Sequence, residues 1–149
     1  MDGQQTSQSI ISRNSSRLTV KPLNAWNLSK FKPHKIQEDD FLPTKEIFKN
    51  GFPSHQGMMY DGRKSILAFG VIDIGDSQYY MWTLFGKNFE KKHYRFLINY
   101  SNNYLNMLSF KSVHHLIRKD MPWTRKMISL AGFKYVRDEN EFMEHWVKI

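Results

Sequence analysis

The sequence predicts a single α+β domain in which a mixed, mainly antiparallel sheet is flanked by helices. Its 149 residues suit one domain, and 40% of them are hydrophobic and 15% aromatic, which supports a packed core. Residues 58–85 carry hairpin turn signals between apolar runs, a pattern typical of an antiparallel meander. From residue 88 the spacing of apolar residues changes from two to about 3.6, which indicates a helix.

The N-terminal segment, residues 1–17, differs in composition from the rest of the chain. It is rich in Gln, Ser, Thr and Asn, and its apolar residues after Met1 are the pair Ile10 and Ile11. Such a segment buries too little apolar surface to offset the entropy lost when it becomes ordered. We therefore expect a flexible polar arm at 1–17 and a folded domain at 18–149, with Ile10 and Ile11 as candidate partner-binding residues.

Turn and capping residues divide the folded part into elements. Strands are predicted at residues 18–22, 58–60, 65–74, 78–85, 112–117, 133–136 and 142–147. A short helix is predicted around Trp26, Leu28 and Phe31, ended by Pro33. A second short helix is predicted after Asp39-Asp40, before a loop marked by Gly51, Pro53 and Gly57.

Two longer helices complete the prediction. Asn88 is the expected N-cap of the first, whose apolar stripe comprises Phe89, His93, Phe96, Leu97, Tyr100, Tyr104, Met107 and Leu108. The second helix is expected to be capped by Asp120, with Pro122 near its first turn and Gly132 at its C-terminal end.

This order of elements, together with a helix at 121–131 followed by Gly132-Phe133 and a strand, resembles the GNAT superfamily of N-acetyltransferases. The resemblance covers nearly all of residues 18–149. It implies a GNAT-like sheet with a cofactor cradle between the fourth strand and the long helix.

Two stretches carry a closer resemblance: YYMWTLFGKNFEKKHYRFLINYSNNYLNML at 79–108 and HHLIRKDMPWTRKMISLAGFKYV at 114–136. They are similar to small GNAT-like internal virion or assembly proteins of short-tailed phages. The shared features are an aromatic fourth strand, a Gly-Lys turn into a basic and aromatic helix, and a helix that ends before a glycine.

The resemblance places a candidate acetyl-CoA site at Gly86, Lys87 and Asn88. GNAT enzymes usually carry Gln/Arg-x-x-Gly-x-Gly/Ala at this turn, where backbone N–H groups at a helix start hold the pyrophosphate. Here one glycine remains, and Phe85 and Phe89 flank it. The turn is therefore either a degenerate cofactor site or a plain strand-to-helix connection that uses the backbone freedom of Gly86.

The catalytic residues that the resemblance implies are not found. Ile128 occupies the position of the usual tyrosine acid, four residues before Gly132, and Asp120 is the nearest polar residue to the usual asparagine. The fourth strand, residues 78–85, has no Glu or Asp that could act as a base. No catalytic residue is therefore assigned, and the chain is expected not to be an enzyme of the usual GNAT kind.

Charge indicates an anionic partner. The net charge is +8, and the stretch from Lys87 to Lys126 carries +7 of it. The candidate polyanion-binding residues are Lys87, Lys91, Lys92, Arg95, Arg118, Lys119, Arg125 and Lys126. A solvated helix face is the alternative explanation of this stretch.

Metal and thiol chemistry are not expected. The chain has no cysteine. Neighbouring residues of a strand point to opposite faces, so His114 and His115 should not share a metal ion. The longest apolar run, residues 66–72, is too short to span a bilayer, so no membrane partner is expected.

Three functions remain open. The preferred one is a catalytically degenerate GNAT-fold protein that acts as a phage virion or assembly component. Its partners would be portal, capsid or internal core proteins, with non-specific DNA contact, and its location would be the virion and, during assembly, the host cytoplasm. The alternatives are a divergent acetyl-CoA-dependent N-acetyltransferase and a basic nucleic-acid-binding module.

Overall fold

The computed structural model describes residues 18–38 and 56–149 as one α+β unit built on a seven-stranded sheet. The strands are β1 (Leu18–Pro22), β2 (Gln56–Asp61), β3 (Lys64–Gly75), β4 (Gln78–Phe85), β5 (Ser112–Arg118), β6 (Lys134–Asp138) and β7 (Met143–Lys148). The helices are α1 (Ala25–Lys30), α2 (Tyr94–Asn106) and α3 (Trp123–Leu130), with 3₁₀ turns at Lys35–Gln37 and Lys91–His93. The α+β fold class predicted from the sequence is confirmed.

The sheet order is β1-β2-β3-β4-β5-β7-β6. All neighbouring strands are antiparallel except β4 and β5, which run parallel because α2 carries the chain back between them. The β3–β4 turn is tight, with Asp76 and Ser77 at positive φ and the Asp73 carboxylate accepting a hydrogen bond from the Gly75 N–H at 2.9 Å. Asp73 therefore organises a turn.

Apolar side chains pack on both faces of the sheet. On one face, which we call the inner face, α2 and α3 cover a cluster that includes Leu67, Phe69, Leu97 and Met127. On the opposite, outer face, α1 covers a second cluster, which comprises Leu23, Leu28, Phe31, Met58, Ala68 and Leu84. Each fully buried side chain of this size stabilises the fold by about 1.5–3 kcal/mol. The two apolar clusters therefore hold α1, α2 and α3 against the sheet.

The first long helix starts later than predicted. Asn88 is not its N-cap, because the regular helix begins at Tyr94 after the 3₁₀ turn. His93 explains the delay: its Nδ1 accepts a hydrogen bond from the Glu90 N–H at 2.9 Å, and its Nε2 lies 3.0 Å from Asp61 Oδ2. Since Nδ1 accepts, the ring proton sits on Nε2 and is donated to Asp61, which ties the helix start to the end of β2.

The second long helix also differs at its start. Asp120 does not cap it, because the Asp120 carboxylate instead accepts two hydrogen bonds from Arg118, each 2.9 Å. Pro122 is the N-cap residue, and α3 begins at Trp123. The prediction for its end is confirmed, since Gly132 follows α3 with a φ of +91°.

Smaller corrections concern single residues. Gly57 lies in β2 rather than in a loop, and an added Cβ there would meet Phe69 at 2.8 Å. Met107, assigned to the apolar stripe, is 83% exposed because it follows the last residue of α2. The predicted arm at 1–17 with Ile10 and Ile11, and the predicted helix after Asp39-Asp40, lie outside the described residues.

Candidate functional site

A cleft opens where β4 and β5 separate. The two parallel strands pair from Gln78 with Ser112 to Met81 with His115, and the pairing stops there, although β4 continues to Phe85 and β5 to Arg118. The diverging ends enclose a cavity of about 210 Å³. Its lining includes Gln37, Thr83, His115 and Thr124. The volume lies below the usual range for sites of drug-sized ligands, about 300–1,000 Å³.

The β4 edge that faces the cleft is occupied by the chain itself. Gln37 Oε1 accepts a hydrogen bond from the Phe85 N–H at 2.7 Å, and Gln37 Nε2 donates to the Thr83 carbonyl at 3.2 Å. The His34 N–H donates to the Phe85 carbonyl at 2.7 Å. Residues 34–37 thus satisfy the backbone groups that an unpaired strand edge would offer to an extended ligand.

The turn between β4 and the 3₁₀ helix is the predicted cofactor cradle, and four of its N–H groups are used internally. Gly86 donates to the Ile66 carbonyl at 2.8 Å, and Lys87 donates to the Lys32 carbonyl at 2.9 Å. Phe89 donates back to Gly86, and Glu90 donates to His93. A phosphate at this turn would have to displace these bonds before it could use the N–H groups.

Gly86 is explained by packing. Its φ is not among the positive values found at Gly62, Gly75 and Gly132. An added Cβ would lie 2.9 Å from the Ile66 carbonyl oxygen and 3.0 Å from Phe31 Cε1. Close approach to β3, rather than backbone freedom, therefore requires a glycine here. Lys87 is exposed and Asn88 half-buried beside it.

Four aromatic side chains join this turn to the start of α3. Trp123 lies 4.7 Å from Phe85 edge-on and stacks on Phe89 at 5.8 Å and on Tyr94 at 5.9 Å, measured between ring centroids. Phe85 and Phe89 also contact each other at 4.9 Å. Such pairs are each worth about 0.5–1.5 kcal/mol beyond the area they bury. The cluster fixes the separation between the two helix starts.

One polar pair in the cleft was not predicted from the sequence. Thr83 Oγ1 lies 3.2 Å from His115 Nε2, and His115 Nδ1 lies 2.9 Å from the Leu116 carbonyl. A carbonyl only accepts, so Nδ1 carries the proton and Nε2 accepts from the Thr83 hydroxyl. Burial lowers the pKa of His115 from 6.5 to about 4, which keeps the ring neutral at physiological pH.

The other histidine of the pair points away from the cleft. His114 Nδ1 lies 2.9 Å from His145 Nε2 on the outer face of the sheet, where His114 Nε2 contacts Ser112 and Gln78. His114 and His115 therefore lie on opposite faces, as predicted. Within residues 18–38 and 56–149, no group of three His, Cys, Asp or Glu side chains could hold a metal ion.

The predicted basic residues are spread over several elements, and within residues 18–38 and 56–149 four of the eight form ion pairs. Lys92 pairs with Asp61 and Glu90, Arg118 with Asp120, and Lys119 with Asp138. Arg125 makes two hydrogen bonds to the buried Glu144 at 2.5 and 3.1 Å, and these lower the pKa of Glu144. The other four are Lys87, Lys91, Arg95 and Lys126, all exposed. Neutralisation by acidic neighbours reduces the field that these residues present to a polyanion.

Residue 128, where the resemblance implies a tyrosine acid, lies in the core, and so does the neighbouring hydroxyl residue Thr124. Ile128 is buried and packs with Val113 and Phe133 in the cluster under α3. Thr124 is buried, and its hydroxyl donates to the Met121 carbonyl at 2.6 Å. Neither residue presents an acid to the cleft.

Comparison with solved structures identifies the fold. Spermidine N-acetyltransferase from Vibrio cholerae, in a dodecameric structure, matches with a TM-score of 0.65 and 14% identity, over 90% of this chain and 94% of that one. A chimera of that enzyme and hSSAT gives 0.67 and 11%, over 90% and 96%. The N-acetyltransferase PseH from Campylobacter jejuni gives 0.58 and 16%, over 88% and 96%. The chain therefore has the GNAT fold. Neither a protein-family model nor a curated protein sequence matches it.

Within the described part of the chain, no helix is long and apolar enough to cross a membrane.

Proposed function

We propose that this chain is a GNAT-fold protein that has lost acetyl transfer and serves as a virion-associated structural or assembly protein of a short-tailed phage. The observation that carries the loss of acetyl transfer is the occupied edge of β4, where Gln37 and His34 hold the Thr83 and Phe85 backbone groups. The phage role rests on the sequence resemblance at 79–108 and 114–136. Portal, capsid or internal core proteins are the proposed partners.

The occupied edge opposes cofactor binding in physical terms. The arm of acetyl-CoA carries amide groups that suit an open strand edge, and its pyrophosphate suits free N–H groups at a helix start. To bind in this way, it would have to break the Gln37 and His34 hydrogen bonds and those of the 86–90 turn. Each bond contributes about 0.5–1.5 kcal/mol, so several together offset much of the binding free energy.

We therefore expect isothermal titration calorimetry to detect no acetyl-CoA binding to the wild-type protein at micromolar concentrations. Gln37→Ala removes both side-chain bonds to β4, and we expect this variant to bind acetyl-CoA more tightly than the wild-type protein. Ile74→Ala, an exposed substitution next to the β3–β4 turn at the far end of β4 from the cleft, is the control. Thermal melts establish that each variant is folded.

Low-micromolar binding to the wild-type protein, abolished by Lys87→Glu, would instead support the alternative of a divergent N-acetyltransferase. What favours that alternative is the likeness of the fold to solved N-acetyltransferases. His115 would be a poor general base for it, because its Nε2 already accepts from the Thr83 hydroxyl and burial lowers its pKa to about 4. The reaction would then be acetyl transfer without the usual tyrosine acid.

For the virion role, we expect the protein to co-purify with phage particles at a fixed ratio to the portal or capsid protein. Particles would be treated with nuclease and washed in high salt before quantitative mass spectrometry, because screening removes weak electrostatic attachment. Deletion of residues 2–16 should prevent incorporation while the isolated protein keeps its melting temperature. Absence from washed particles would contradict the proposed role, and normal incorporation of the deleted protein would show that the folded domain docks by itself.

A further inference from the structure

A second concave surface lies on the outer face of the sheet, away from the β4–β5 cleft. It is a groove of about 510 Å³ between α1, β1 and the β2–β3 turn. Its walls include Lys21, Trp26, Tyr60 and Arg63. We refer to it as the α1 groove. No residue of the predicted basic stretch from Lys87 to Lys126 lines it.

Trp26 is the most unusual residue of the α1 groove. Its side chain is 70% exposed, whereas tryptophan in folded proteins is highly buried on average. The backbone beneath it is held firmly: Asn24 and Asn27 exchange hydrogen bonds of 2.9 Å, and Asn27 Nδ2 donates to the Pro22 carbonyl at 2.9 Å. A large aromatic ring is therefore presented to solvent from a rigid base.

Lysine and arginine side chains lie beside these aromatic rings. Lys30 Nζ lies 4.0 Å from the centroid of the Trp26 ring, and Lys21 Nζ lies 5.3 Å from the centroid of the Tyr60 ring. Arg63 is exposed in the adjacent β2–β3 turn. Among the described residues that line the groove there is no acidic side chain, so the surface combines stacking platforms with positive charge.

Aromatic rings beside a positively charged groove fit single-stranded nucleic acid. Each base offers a flat face for stacking, and each linkage offers a phosphate to lysine or arginine. A duplex hides its base faces, and the Asp and Glu side chains of an acidic peptide offer negative charge but no aromatic face to stack on an exposed indole. The chemistry of the groove therefore favours a single strand over both of these partners.

We propose that the α1 groove binds single-stranded nucleic acid, with a base stacked on the face of Trp26 that Lys30 does not cover and with phosphates on Lys21 and Arg63. The proposal is independent of the loss of acetyl transfer and of the virion role. It assigns nucleic-acid contact to the outer face of the sheet rather than to the Lys87–Lys126 stretch.

The experiment measures fluorescence anisotropy of labelled oligothymidylate and oligouridylate with the full-length protein over a series of salt concentrations. We expect Trp26→Leu to weaken binding about ten-fold, since stacking of one base is worth about 1–3 kcal/mol, and Trp26→Phe to retain most of it. Lys21→Glu/Arg63→Glu should reduce the log–log salt slope by about 0.7 for each phosphate that the protein no longer neutralises. The two oligonucleotides show whether the groove prefers DNA or RNA.

Lys91→Glu/Lys126→Glu is the matched control, because it changes the net charge by the same amount on exposed residues outside the groove. A smaller effect of this control on affinity and slope supports the proposal. Equal effects of the two double variants, or unchanged binding by Trp26→Leu, would overturn it. Equally tight binding of a duplex or of polyglutamate would also overturn it, because such binding needs charge alone. Thermal melts confirm that all variants are folded.

Discussion

Acidification from pH 6.5 should destabilise this protein strongly, because unfolding allows His115 to take up a proton. Burial lowers the pKa of this imidazole from 6.5 to about 4 in the folded state. Between these two values the unfolded chain binds more protons than the folded one, so the free energy of unfolding falls as the pH falls. The full shift corresponds to about 3 kcal/mol, of which about 2 kcal/mol should be lost by pH 5.

Urea unfolding at a series of pH values between 6.5 and 5 measures this slope. The variant His115→Gln cannot gain the proton, and its free energy of unfolding should depend less on pH by about 2 kcal/mol over the same range. Thr83→Val is the control, because it removes the hydroxyl partner of His115 but leaves the buried imidazole, and it should keep the wild-type slope.

Other titratable groups do not account for the expected difference in pH dependence between the wild-type protein and His115→Gln. The pKa of His145 is also lowered, by burial, but His145 is present in every variant compared. A hydrogen bond from Arg125 lowers the pKa of Glu144, so the contribution of this carboxylate is lost only as the pH falls below 4.5. Equal slopes for the wild-type protein and His115→Gln would show that burial of His115 does not control acid sensitivity.

The strands could be predicted because their signals are local. Residues 18–22 and 78–85 match β1 and β4 at both ends, since a proline, a glycine or a turn stands next to each boundary. The order of elements then sufficed to identify the GNAT fold, which the solved structures support. In contrast, the predicted helix starts at Asn88 and Asp120 were wrong. Glu90 and His93 form the capping box of the 3₁₀ turn, and the Asp120 carboxylate accepts from Arg118 instead of capping a helix.

The occupied edge of β4 could not be predicted, because it depends on contacts between residues far apart in the chain. Gln37 and Phe85 are separated by 48 positions, and nothing in the composition around Gln37 marks it as a partner of β4. Thr83 and His115 are likewise 32 positions apart. The sequence has isoleucine at position 128 and no Glu or Asp in the fourth strand, where the resemblance implies catalytic residues. It could not show which residues occupy the edge in place of a ligand.

Gly86→Ala should distinguish a glycine kept for packing from a glycine kept for cofactor binding, because the two roles predict opposite signs for the change in the free energy of unfolding. If Gly86 is kept to let a phosphate approach the backbone, the space beside it is free in the absence of ligand. Gly86→Ala should then stabilise the protein by about 0.4–1 kcal/mol, since alanine restricts the unfolded chain. The structure leads to the opposite expectation, because the new Cβ would meet the Ile66 carbonyl oxygen at 2.9 Å.

We expect Gly86→Ala to lower the free energy of unfolding by about 2 kcal/mol, within the usual range of about 1–3 kcal/mol for overpacked sites. The Ile66 carbonyl cannot move aside easily, because it belongs to β3, an interior strand of the sheet, and already accepts the Gly86 N–H at 2.8 Å. The melting temperature should fall by roughly 2–4 °C for each kcal/mol. Lys87→Ala, an exposed substitution in the same turn, should change the free energy of unfolding by less than about 0.5 kcal/mol. Calorimetric melts of the wild-type protein, Gly86→Ala and Lys87→Ala without ligand decide between the two roles. If Gly86→Ala were as stable as the wild type, or more stable, this turn would again be a candidate cofactor site.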